Sequence, residues 1–192
     1  MKYYTPFWLS IIIVIPFLAG CVPMFAVGTA AGTGAYISED RRTRVVFIED
    51  EGIELKGARR IHQQYSDHVH INVTSYNRIV LLSGEVPTAA IRADVEKLMM
   101  GVENVRKIYN ALVIAANTTL ASRSNDTLIT SKVKARFLAE RKFQINHIKI
   151  VTENEVVFLL GVVTRQEADN AAQIASSTAG VKKVVKAFEY LN

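Results

Sequence analysis

The chain has 192 residues, with 23 lysines and arginines against 18 aspartates and glutamates, and a single cysteine. One cysteine excludes an internal disulfide framework, and a hydrophobic content of 49% excludes a wholly disordered chain. The length suits one ordinary domain or two small ones, and a net charge of +5 suits an anionic partner, either lipid headgroups or nucleic acid.

The first element in chain order is an export signal. Lys2 opens it, residues 7–17 form an apolar stretch broken only by Ser10 and Pro16, and the small residues of Leu18-Ala19-Gly20-Cys21 close it. Leu-Ala-Gly-Cys resembles the bacterial lipoprotein box. The resemblance implies that the Cys21 thiol receives a diacylglyceryl group, that cleavage falls before it, and that the new amine is acylated. The mature chain would then have 192 − 20 = 172 residues and a charge of 22 − 18 = +4. An uncleaved anchor over residues 7–27 is the competing reading, but Pro16, Gly20 and Pro23 make that helix poor. Ordinary secretion would leave Cys21 incidental. Three acyl chains, at about 0.8 kcal/mol per buried CH₂, anchor a protein without any span. Val22 stands where an aspartate would hold an enterobacterial lipoprotein in the inner membrane, so the resemblance implies the outer membrane, with the domains facing the periplasm. Export argues against nucleic acid as a partner.

Residues 21–44 are the lipidated N-terminus and a tether rich in Ala, Gly and Thr, with neither helical nor strand period. An internal repeat follows. Ile71-Asn72-Val73-Thr74 through Ser83-Gly84 reads against Ile148-Lys149-Ile150-Val151 through Leu160-Gly161 at an offset of 77, aligning Asn77 with Asn154 and Gly84 with Gly161. Upstream, Asp50-x-x-Ile53 pairs with Asp126-x-x-Ile129 at an offset of 76; downstream, Gly101-Val102-x-x-Val105 pairs with Gly180-Val181-x-x-Val184 at 79.

Each copy has one grammar. An opening helix capped by an acid, Asp126 in the second copy, carries Ile129, Val133 and Phe137 on one face. A hairpin turns at Glu153-Asn154-Glu155. Thr164-x-x-Glu167 is a capping box opening a second helix with Ala168, Ala171, Ala172 and Ala175 on one face. Gly180 ends that helix, and a last strand covers 184–190. The predicted fold class is α+β: two tandem α-β-β-α-β units, each a small three-stranded mixed sheet with two helices on one face. Residues 79–82 and 156–160 are apolar on both strand faces, so the uncovered sheet faces are expected to pack between the repeats.

This grammar and its glycines resemble the BON domain of bacterial envelope proteins, over 45–115 and 127–192 with a linker at 116–126. A lipoprotein box followed by two such units is similar to a family of outer-membrane lipoproteins. Ser124-Asn125-Asp126-Thr127 and Ala179-Gly180-Val181-Lys182-Lys183-Val184 are among the matching segments. The resemblance implies a non-enzymatic protein that binds anionic phospholipid, phosphatidylglycerol in particular, through the opening helix of its second domain. It also implies roles in envelope integrity, at the division site and in outer-membrane protein assembly, with the assembly machinery as a partner.

No catalytic constellation stands in the chain, and neither a cofactor nor a small-molecule substrate is expected. His62, His68, His70 and His147 are the only histidines. His68-x-His70 places two imidazoles on one face of a strand, but no second cysteine or adjoining carboxylate cluster completes a set, so no metal is expected. The helix over 128–142 is more informative. Ile129, Val133 and Phe137 form its core arc, while Leu128, Ala135 and Leu138, with Ser131 and Lys142 between them, lie roughly 100–200° away. Lys132, Lys134, Arg136, Arg141 and Lys142 against Glu140 give this stretch a net +4, which suits an anionic lipid surface. The family carries an aromatic residue where this chain has Leu128, so an interfacial anchor is missing. The candidate lipid-binding residues are Leu128, Ser131, Lys132, Lys134, Ala135, Leu138 and Lys142. In the alternative reading the leucines pack on the first domain, or the basic amphipathic helix serves a scaffold that binds a protein partner.

Overall fold

The computed structural model describes residues 40–191; the signal segment, Cys21 and the tether up to residue 39 lie outside the described residues. The first repeat comprises α1 (Arg44–Tyr65), β1 (His70–Tyr76), β2 (Ile79–Val86), α2 (Ala89–Met100), β3 (Lys107–Asn110) and β4 (Val113–Ile114). The second comprises α3 (Leu120–Glu140), β5 (Ile148–Glu153), β6 (Val156–Val163), α4 (Arg165–Ser176) and β7 (Lys183–Tyr190). In each, an antiparallel hairpin is joined by a parallel third strand, in the orders β1-β2-β3 and β5-β6-β7. The first sheet gains a fourth strand, β4, which pairs with β2 at Glu85 and Val86.

The helix starts correct the predicted caps. Thr43 caps α1 by accepting from Val46 N, and Thr119 caps α3 by accepting from Ser122 N; the two threonines stand at the repeat offset, 119 − 43 = 76. Helix α3 therefore begins inside the segment expected as linker, and Asp126 lies buried within it. Its carboxylate accepts from Asn154 N (2.9 Å) and Glu155 N (2.8 Å), the two central amides of the β5–β6 turn. Asp50 holds Asn77 N (2.8 Å) and Arg78 N (2.7 Å) in the same way. Those turn residues have φ between 51° and 64°, the left-handed pair of a two-residue hairpin. The repeated aspartate thus pins helix to turn, because it satisfies amides that a two-residue loop leaves without strand partners.

Gly84 and Gly161 recur because the entering strand passes directly over them. A Cβ at Gly84 would lie 2.1 Å from the His70 carbonyl oxygen, and one at Gly161 would lie 2.4 Å from that of His147. Gly180 does not end α4, whose C-cap is Ser177; it turns the chain into β7 with φ +98°. The capping box is formed as the sequence predicts, with Thr164 and Glu167 exchanging bonds.

The central strands are buried on both faces, β2 along its whole length, and successive side chains point to opposite sides of the sheet. Val80, Leu82 and Val86 face α1 and α2 in one core, and Val157, Leu159 and Val163 face α3 and α4 in another. The opposite faces meet each other. Tyr76 and Leu81 of the first repeat join Phe158, Leu160 and Ala187 of the second in a third core, a seam between the sheets.

Candidate functional site

Helix α3 presents two unlike faces. Ile129, Val133 and Phe137 are at most 1% exposed and line the second core. All seven residues singled out by sequence, Leu128, Ser131, Lys132, Lys134, Ala135, Leu138 and Lys142, are exposed. Leu128 and Leu138 retain 59% and 58% of their surface, so neither is spent on packing against the first repeat. Leu120, at 79%, extends the apolar strip by two turns; it was missed because the helix begins at Thr119 and not at Asp126.

The cations around this strip are unequally free. Arg136 is occupied by Glu140, by the Ile174 carbonyl and by the Thr178 hydroxyl, and Lys142 pairs with Glu140 at 3.5 Å. Among the described residues, no ion pair involves Lys132 or Lys134. Beyond the helix end, Arg41, Leu138, Arg141, Lys142, Phe143 and Glu167 line a cleft of about 580 Å³. Arg41 reaches it from just before α1 and forks onto Glu167 at 2.7 and 2.8 Å. Burial alone would raise the Glu167 carboxyl, but Arg41 and the Thr164 amide and hydroxyl outweigh it and hold the group at about 2.

The first repeat offers a contrast. Its opening helix α1 also exposes Val45, Ile48 and Leu55. Yet it balances four lysines and arginines (Arg44, Lys56, Arg59, Arg60) against four acids (Glu49, Asp50, Glu51, Glu54). Of the two opening helices, α3 alone combines an apolar strip with surplus positive charge.

Within the seam, polar side chains tie one repeat to the other. Asn154 Nδ2 donates to Glu85 Oε1 (2.6 Å), Asn72 Nδ2 to Glu153 Oε2 (2.9 Å), Asn77 Nδ2 to Glu189 Oε2 (2.7 Å) and Lys149 Nζ to Glu54 Oε1 (2.6 Å). The predicted histidine pair is not formed on one strand: His68 ends a 3₁₀ turn, and only His70 lies in β1. Carboxylates that no local sequence supplies come instead from β2 and β5. His70 Nδ1 lies 2.8 Å from Glu85 Oε2 and 4.0 Å from Glu153 Oε1. Burial pushes the Glu153 carboxyl up, aided by Glu85 and Asp126. Burial acts on Glu85 too, but contacts from His70, Asn154 and Thr118 win and lower it.

Two segments of this architecture, residues 49–116 and 125–192, each match the BON domain. The chain belongs to the BON-domain family. It is 37% identical over 178 residues to "Outer membrane lipoprotein DolP" of Haemophilus influenzae, covering 92% of this chain and 91% of that protein. It is 33% identical over 154 residues to "21 kDa hemolysin" of Actinobacillus pleuropneumoniae, covering 79% of each. Identity to "Osmotically-inducible protein Y" of Escherichia coli is 32% over 142 residues, 72% of this chain and 71% of that one. The candidate surface is thus the opening helix of the second BON domain, and the seam is the contact between the two. No helix among the described residues is long and apolar enough to cross a membrane.

Proposed function

We propose that this BON-domain protein is an outer-membrane lipoprotein, anchored through Cys21 with its domains in the periplasm, that binds anionic phospholipid through the exposed face of α3. The observation that carries the reading is the unburied strip of Leu120, Leu128 and Leu138, flanked by Lys132 and Lys134, which form no ion pair among the described residues. Apolar side chains of that size gain by entering the acyl boundary, and the ammonium groups then rest among phosphates. The balanced charge of α1 withholds that second contribution from the first domain. Likeness to a protein named as an outer-membrane lipoprotein supports the anchor and the compartment. The reading extends, on the family resemblance carried by the sequence, to a non-enzymatic role in envelope integrity, at the division site and in outer-membrane protein assembly.

The test is a titration of the chain with phosphatidylglycerol or phosphatidylcholine micelles, read by residue-resolved NMR shifts. Shifts should concentrate on 120–142 with phosphatidylglycerol. Leu128→Glu and Leu138→Glu should each weaken binding by about 2 kcal/mol without unfolding the protein, since both positions are solvated. If both variants stay folded and bind as tightly as the parent, α3 is not the lipid site and a protein-binding scaffold becomes the better reading. In cells, Cys21→Ser should release the protein from the membrane fraction; palmitate labelling that persists in that variant would refute the anchor.

A further inference from the structure

We propose that His70, Glu85 and Glu153 form a Zn²⁺ site that staples the two BON domains together across their seam. The three residues come from β1, β2 and β5, and therefore from both repeats. One ligand atom from each lies within 4.8 Å of the other two. In a tetrahedral zinc site with bonds of about 2.0–2.2 Å, ligand atoms stand about 3.4 Å apart. The observed 2.8 Å and 4.0 Å from His70 Nδ1 to the two carboxylates bracket that value, so small rotations complete the triangle. One imidazole and two carboxylates form a nitrogen–oxygen donor set that zinc accepts.

Charge points the same way. Glu85 is 1% exposed and Glu153 7% exposed, and among the described residues neither forms an ion pair with a lysine or arginine. Two buried carboxylates against at most one imidazolium leave the seam short of positive charge, and Asp126 adds to the deficit seen by Glu153. A divalent cation with neutral His70 closes the balance: −2 from the carboxylates, +2 from the metal. Burying an uncompensated charge is the costlier arrangement.

The surroundings already orient the ligands. Each carboxylate has one oxygen held by an asparagine, Glu85 Oε1 by Asn154 and Glu153 Oε2 by Asn72. Its other oxygen is turned toward His70. Thr118 donates to Glu85 Oε2 through its amide (3.2 Å) and hydroxyl (3.1 Å). Such outer contacts preset ligand orientation and basicity. Zinc takes the lone pair of His70 Nδ1, so the neutral ring carries its single proton on Nε2 and no longer donates to Glu85.

The experiment adds Zn²⁺ to the metal-free full chain in detergent, followed by calorimetry and thermal unfolding. One zinc per chain is expected, with Tm raised by about 5 °C or more at saturating metal. Glu153→Gln, which retains an acceptor for Asn72, and His70→Gln should each weaken binding at least about tenfold. Substituting His62 and His68 with alanine should leave it unchanged. Zinc binding as tight as the parent's in both Glu153→Gln and His70→Gln would overturn the proposal. So would a parent chain whose Tm responds to pH and not to zinc, which would make the trio a proton-bridged contact only.

Discussion

At the scale of single residues, Asp126 shows how one side chain serves two elements. It sits in a helix, yet its hydrogen bonds go to the turn amides of Asn154 and Glu155. Asp126→Ala should cost about 2–4 kcal/mol, because two amides lose a charged acceptor in a buried site; urea unfolding measures it. Arg41 and Glu167 define a second expectation. The Glu167 carboxyl, held at about 2 against an ordinary 4.5, contributes stability that is fully present above 4.5. That stability is lost as pH falls from 4.5 toward 2. Arg41→Ala should therefore flatten the acid dependence of unfolding in that window. Equal pH profiles for the variant and the parent would show that the fork does not hold the group down.

Helix α3 is the element where packing and function divide by face. Its core arc is saturated, so substitutions on the outer arc act on binding and leave the fold alone. Lys132→Gln with Lys134→Gln should weaken binding to phosphatidylglycerol vesicles by about 1 kcal/mol per charge and reduce its sensitivity to salt. Leu128→Trp should tighten it, since an indole suits the interface. Vesicle co-sedimentation across a salt series separates the two contributions: the lysine variants change the slope, and the tryptophan variant shifts affinity at every ionic strength. Leu120, absent from the sequence-based set, should respond to glutamate as Leu128 does.

For the whole molecule, the seam decides whether two domains behave as one. Tyr76, Leu81, Phe158, Leu160 and Ala187 bury an apolar face that each sheet would otherwise expose, and several inter-repeat hydrogen bonds surround it. NMR relaxation should report one correlation time for both domains. Phe158→Ala should cost about 3–5 kcal/mol, the range for removing a buried aromatic side chain, and allow the domains to tumble separately. Two distinct correlation times in the parent chain would contradict a single body.

Sequence by itself determined the repeat, the order of helices and strands, the hairpins at Asn77 and Asn154, the capping box at Thr164 and the two arcs of α3. These features rest on residues near one another in the chain: a 3.6- or 2-residue period, a left-handed turn, a side chain reaching its own helix end. The two-faced apolar strands also showed that the sheets needed a cover. Only the tertiary structure decided what that cover was, because docking geometry has no local signature. The same limit hides the role of Asp126 from the sequence: its partners lie 28 and 29 residues away, across the fold. It explains the seam cluster as well. His70, Glu85 and Glu153 are unremarkable one by one in the chain, and strand register together with the packing of one repeat on the other brings them within reach of a single ion.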